Sequence, residues 1–349
     1  WVAVDAQGNK RRHWAQKDLW VTCALGPYNF EQMTEIHREI MTQYMVDGIF
    51  MNRWAGHGIC YCESCRRLFK QATGYDLPGL FQESAGHSTP RMPDLHDPAA
   101  RAYFLWRQQR LFELWQVWDK EIRRINPRAR AIPNTGGGAL SSLDMKKTGE
   151  MAATLFADRQ ARRGVATPWF NGKNGKEYRA TMGMKPIGGI FSVGVEEHYR
   201  WKDSVQSGAE IRLWVADGVA NGLRPWFTKF CGMIYDPRWL PVVKNLYRRY
   251  AAWEPYLRNT ANLARVAMVY SQQTAWFYGG EKAQQKVEDH ELGFYHALVE
   301  ARIPFEMVHD RLLDAEHLRP FKTLVLPNIA ALSDEQCEQL RAFVRRGGS

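Results

Sequence analysis

The sequence predicts an α/β protein in two parts, and three observations support this. First, β-rich runs alternate with helix-periodic runs through residues 1–258. Second, residues 19–23, 30–44 and 47–51 read as a strand–helix–strand unit, with Met33, Ile36, Ile40 and Tyr44 at helical spacing in the middle run. Third, after a polar boundary at 259–262 the alternation restarts from Ala264. The expected domains are residues 1–260 and residues 261–349, the second of them incomplete at the chain end.

Taken in order, residues 1–4 are a short β-like run, and 66–73 continue as a helix behind a cysteine cluster. A turn-rich stretch over 74–93 leads to a long helix over 98–126, with Phe104, Leu111, Leu114, Val117 and Ile122 on one side. Residues 129–133 form a strand that ends in Asn134 and the triplet Gly136-Gly137-Gly138. Such a triplet lets backbone approach a ligand or makes a loose turn, and it lacks the G-x-G-x-x-G spacing of a phosphate loop. The apolar run 153–156 ends at Asp158 among arginines. Residues 168–174 read as a ligand-side loop, with a helix beginning at 177–181. The run 185–195 is a strong strand ending in Glu196-Glu197. It is followed by a helix over 210–221, a strand over 223–230 and a helix over 241–258. Beyond the boundary come strands at 266–270, 305–308 and 323–327, with helices at 289–301 and 334–346, a flavodoxin-like order.

Composition fits a protein with sizeable cores, since 45% of the 349 residues are hydrophobic and 13% aromatic. The net charge of +10 is spread among acidic residues with no long basic run, so it reads as a solvated surface and not a nucleic-acid face. The fourteen tryptophans serve either as sugar platforms or as ordinary packing. No stretch reaches the apolar length of a membrane span and the sequence holds no signal peptide, so a soluble protein is expected, cytoplasmic or exported. Only about six β-like runs precede the boundary, so the chain reads as a fragment whose first two strands would lie before Trp1.

The stretch 47–65, DGIFMNRWAGHGICYCESC, concentrates the chemistry. A buried strand gives way to the polar pair Asn52-Arg53, then to His57, then to Cys60-x-Cys62-x-x-Cys65. In parallel α/β sheets chemistry sits at the carboxyl ends of strands, which places Asn52, Arg53 and His57 toward a substrate. The chain has six cysteines, and three of them fall within six residues. Cys23 is the upstream candidate to complete a four-sulfur tetrahedral zinc site, the alternatives being a disulfide or buried thiols. Four protein ligands close such a site, so the zinc would be structural, with no organic cofactor expected.

The residues Arg11-Arg12-His13-Trp14, Trp20-Val-Thr-Cys23-Ala-Leu-Gly-Pro-Tyr28, a strand ending at Asn52, and Cys60-Tyr-Cys62-x-x-Cys65-Arg-x-x-Phe69 resemble the family 42 β-galactosidases. Closer still is the resemblance to the hypothetical glycosyl hydrolase 6 group. The resemblance implies a (β/α)8 TIM-type barrel followed by a flavodoxin-like, class I amidotransferase-like α/β domain, a four-cysteine zinc cluster, a carbohydrate substrate and a trimer. The family places its acid/base glutamate directly after the asparagine, where this chain has Arg53, and an arginine cannot act as a general acid at ordinary pH. Cys337 lies within a helix-like run, so the amidotransferase-like half has no nucleophile elbow and is expected to be architectural.

By order, the strand ending at 195 resembles the seventh barrel strand, which carries the family's glutamate nucleophile. Glu197 shares the parity of Val193 and Val195 and is preferred over Glu196, unless a bulge reverses the choice. Asp158 or the other glutamate is the candidate proton donor, and its structural alternative is an ion pair with its arginine neighbours. Asn52, Arg53, His57 and Asn134 would bind hydroxyls, with Trp226 a floor for a sugar face. Two functions follow: a glycoside hydrolase using two carboxylates, or a carbohydrate-binding barrel that has lost hydrolysis. A metal-dependent hydrolase ranks behind both.

Overall fold

The computed structural model describes residues 1–13, 16–56, 58–79, 94–164, 166–194, 204–229, 236–257 and 262–349. Its contacts divide the chain into two units: Trp1–Asn134 with Trp276–Gln284, and Thr135–Ala275 with Gln285–Ser349.

The first unit begins with an arm that folds back through the antiparallel bridges Val2↔Thr22, Val4↔Lys10 and Arg12↔Trp20. Residues 19–23 were expected as a parallel strand, and here the structure differs. The Ala3 N–H donates to Val21 O and the Cys23 N–H to Trp1 O, so the β preference of this run is met by the arm. Composition favours extended backbone without choosing its partner.

Helix α1 (Met33–Tyr44) is followed by strand β1 (Gly48–Met51), helix α2 (Glu63–Thr73), helix α3 (Pro98–Ile125) and strand β2 (Arg130–Pro133). Asp97 caps α3 by accepting from the Ala99 and Ala100 N–H groups, and Pro98 occupies its first position, which has no use for an N–H. The helix buries Phe104, Leu111, Leu114 and Ile122 as its spacing predicts, but Val117 turns outward. Trp115 and Trp118 complete the buried side, and each indole N–H finds a carbonyl, Ala131 O at 3.2 Å and Asn29 O at 3.0 Å. Burying such a ring contributes roughly 2–3 kcal/mol, and the paired N–H avoids the cost of a stranded donor. Strands β1 and β2 pair in parallel from Gly48↔Arg130 to Met51↔Pro133.

The second unit continues with helix α4 (Met145–Met151), strand β3 (Leu155–Ala157), helix α5 (Phe170–Met182), strand β4 (Ile187–Ser192), helix α6 (Gly208–Ala220), strand β5 (Leu223–Thr228) and helix α7 (Trp239–Trp253). Strands β3, β4 and β5 form a parallel sheet in that order, and every residue of the central β4 is buried. The expected loop over 168–174 is instead largely the start of α5. That helix buries Asn171, Lys173, Asn174 and Glu177, so it lacks the apolar period by which a helix is recognised.

Strand β6 (Val266–Tyr270), helix α8 (Asp289–Glu300), strands β7 (Phe305–His309) and β8 (Thr323–Val325), and helix α9 (Asp334–Arg345) follow, as the pattern beyond residue 264 predicts. The three strands are parallel in the order β7-β6-β8, over a core of Ala267, Val269, Val308, Leu318, Phe321 and Phe343. Ser333 and Gln336 form a reciprocal capping box that starts α9. No helix among the described residues is long and apolar enough to cross a membrane.

Candidate functional site

The carboxyl edge of the β1–β2 sheet brings two of the expected residues together. Because Pro133 lies beside Met51 in register, Asn134 emerges next to Asn52. The Asn134 N–H donates to Met51 O at 3.0 Å, and its side-chain amide donates to Asn52 Oδ1 at 3.0 Å. The buried Trp54, which sequence reasoning passed over, donates its indole N–H to Asn134 O at 3.1 Å. Between Asn52 and Trp54, Arg53 is exposed with φ of +52°, a left-handed backbone that favours glycine or asparagine. The loop is pinned around it: Gly56 N–H donates to Arg53 O, Asn29 Nδ2 to Trp54 O, Arg107 to Ala55 O and the Tyr103 hydroxyl to Gly58 O. His57 lies outside the described residues.

Directly behind this loop, Cys23, Cys60, Cys62 and Cys65 converge, with all four sulfurs within 4.8 Å of one another. Cys23 Sγ lies 3.3 Å from Cys65 Sγ and 3.7 Å from Cys62 Sγ. Tetrahedral zinc with Zn–S bonds of about 2.3 Å requires sulfurs about 3.8 Å apart, so the donor set and its spacing fit such an ion. The Val4 N–H reaches Cys60 Sγ at 3.4 Å, and Cys62 is the N-cap of α2, whose positive end faces the sulfurs. Hydrogen bonds from Cys23 first, then from Cys62 and Cys65, hold Cys60 below the usual thiol range.

In the second unit Asp158 follows β3 at its carboxyl end, is exposed, and accepts from Gln160 Nε2 at 3.0 Å. The arginines expected around it also serve other groups: Arg162 forms a two-pronged pair with Glu210, and Arg159 lies over the Phe170 ring. Trp226, on β5, is 36% exposed and packs its ring 4.7 Å from that of Phe156. Glu196 and Glu197 lie outside the described residues, and β4 ends at Ser192.

Two glycines of the triplet have a structural explanation. A Cβ at Gly137 would overlap the Tyr178 ring, and one at Gly138, where φ is +74°, would overlap the Glu177 carboxylate. Gly137 and Gly138 therefore admit α5, with the Tyr178 hydroxyl donating to Thr135 O. Glu177 in turn pairs with Lys173, which is 1% exposed and also meets Glu288 at 3.0 Å and Glu291 at 2.7 Å. Sequence reading missed this cluster. The Lys173–Glu177 spacing of one helical turn was its only local signal, and the other two carboxylates come from a distant segment.

The family model for the β-galactosidase trimerisation domain matches residues 264–349. Among solved structures, the β-galactosidase from Bacillus circulans sp. alkalophilus superposes with a TM-score of 0.77 at 16% identity, covering 99% of this chain and 57% of that one. A catalytic mutant of a GH42 β-galactosidase from G. stearothermophilus gives 0.71 at 13% identity, covering 99% and 57%. The chain shares its fold with these family 42 β-galactosidases, and residues 264–349 match the β-galactosidase trimerisation domain. It is α/β, and its structural neighbours are TIM-barrel enzymes carrying a trimerisation domain. The α-L-fucosidase isoenzyme 2 from Paenibacillus thiaminolyticus gives 0.73 at 20% identity, covering 100% and 48%, so the fold is not confined to galactosidases. The chain spans about half to three fifths of the length of these structures. No curated protein matches the sequence.

Proposed function

We propose that this chain is the barrel-containing part of a glycoside hydrolase acting on β-galactoside-like sugars, with a flavodoxin-like domain over residues 264–349. The observation that carries the reading is the likeness of nearly the whole chain to glycosidases, including the trimerisation-domain match. In this reading Asn52, Asn134, Arg53 and His57 orient sugar hydroxyls and Trp226 supports a sugar face. Glu197, or Glu196 in its place, attacks the anomeric carbon, and Asp158 or the remaining glutamate protonates the leaving oxygen. Cys23, Cys60, Cys62 and Cys65 would hold a structural zinc ion that braces the Asn52–Gly58 loop from behind and leaves no position for substrate. The subunits would associate as a trimer.

A second reading is favoured by Arg53, which occupies the position after Asn52 and cannot donate a proton to a leaving group at neutral pH. On that reading the barrel binds sugars without cleaving them. Aryl glycosides separate the two. If one glycoside is turned over and its kcat falls about a thousandfold or more in Glu197→Gln or in Glu196→Gln alone, the chain is a hydrolase and its carboxylate is named. Sugar binding without turnover of any glycoside supports the second reading.

A further inference from the structure

We infer that Arg53 selects a sugar bearing a negative charge, a carboxylate or sulfate group on the ring it contacts. The inference rests on the carbohydrate reading above and adds a substrate class to it.

Arg53 stands in a backbone conformation that disfavours every side chain with a Cβ, at φ +52°, in the first turn after β1. Glycine or asparagine would adopt that conformation at less cost, so a role for the side chain would explain an arginine here. It contributes nothing to the fold that the structure shows: the residue is exposed, and its guanidinium makes no hydrogen bond or ion pair with any described residue. Flexibility does not account for the conformation, because the Trp54, Ala55 and Gly58 carbonyls that follow Arg53 are held by Asn29, Arg107 and Tyr103, and the Trp54 indole ties the turn to Asn134. A loop held by these bonds therefore presents, at the sheet's carboxyl edge, a cation with no partner among the described residues.

The neighbouring polar groups sharpen the choice of ligand. Asn52 and Asn134 are bonded to each other and are neutral, so they offer hydroxyl recognition without cancelling the charge beside them. A planar guanidinium matches a carboxylate or sulfate through two parallel N–H···O bonds, a geometry that a neutral hydroxyl cannot reciprocate.

The test is calorimetric binding of the full chain to three ligands that share one ring: galactose, galacturonic acid and galactose 6-sulfate, each as the methyl glycoside. Each is measured with the wild type, Arg53→Gln and Arg53→Asn, and thermal melting is followed alongside. The expected result is a wild-type preference of about tenfold or more for one or both anionic ligands, weakening with added salt and collapsing in both variants. Arg53→Asn is expected to melt no lower than the wild type, because asparagine tolerates the left-handed backbone. Whether the uronate or the sulfate binds more tightly names the source of the charge. Equal binding of neutral and anionic rings by the wild type, or a preference that survives in Arg53→Gln, overturns the inference and leaves the carbohydrate reading standing. Absence of binding to all three rings overturns both.

Discussion

Lys173 shows how a single buried charge organises its surroundings. Its ammonium meets Glu177, Glu288 and Glu291, so the site holds more carboxylates than cations, all of them buried. Charges so placed cannot all persist in a low dielectric. Burial first, then the neighbouring Glu288 and Glu177 carboxylates, raise the pKa of Glu291 well above the ordinary carboxyl range, against the attraction of Lys173. Glu291 thus holds its proton more tightly in the folded chain than in the unfolded one. Lys173→Met, which leaves the carboxylates uncompensated, is expected to lose about 3–5 kcal/mol of stability in urea unfolding. Glu291→Gln imitates the protonated acid and is expected to stay within about 1 kcal/mol of the wild type at neutral pH. The pH dependence follows from the direction of the shift. An acid whose folded pKa lies above its unfolded one binds its proton more tightly when folded, so its contribution is present at low pH and is lost as pH rises from the ordinary carboxyl range through the raised value. Melting temperatures across that window are expected to fall less steeply in Glu291→Gln than in the wild type.

Individual elements were read from the sequence with uneven success, and the failures share a cause. Helix α3 was legible because Asp97, Pro98 and an apolar stripe agree on where it starts and what it buries. Helix α5 was not, because its buried face is polar: Asn171, Lys173 and Glu177 find their partners across the fold and leave no apolar period in the sequence. Residues 19–23 were extended as predicted yet paired with the N-terminal arm, since a strand's neighbour depends on chain geometry that local propensity does not encode. The cysteine cluster lies between these cases. The spacing of Cys60, Cys62 and Cys65 announced it, and the antiparallel bridge of Val2 to Thr22 sets Cys23 in place to complete it. If the cluster holds zinc, the purified protein is expected to carry about one equivalent by elemental analysis. Cys65→Ser is expected to lose the metal and several kcal/mol of stability, with the loss concentrated in the first unit when followed by hydrogen exchange.

At the scale of the whole molecule, the match of residues 264–349 to the β-galactosidase trimerisation domain bears on assembly. Sedimentation equilibrium is expected to give close to three times the 40.4 kDa chain mass, with a monomer at all concentrations counting against a trimer built by this chain. The sequence by itself determined the α/β class, the order of elements beyond Ala264, and the cysteine cluster. Each of these is written in short-range patterns: periodicity, caps and ligand spacing. It also singled out Asn52, Arg53 and Asn134, because polar residues at the ends of apolar strands are visible one strand at a time. Only the tertiary structure decided that Asn52 and Asn134 are bonded to each other, that Arg53 is held in a left-handed turn with its guanidinium unpartnered among the described residues, and that Gly137 and Gly138 make room for α5. The parallel register of β1 and β2 fixes the first of these, and the approach of Tyr178 and Glu177 fixes the last. Such contacts join residues far apart in the chain, and a linear pattern carries the character of each partner but not the distance between them.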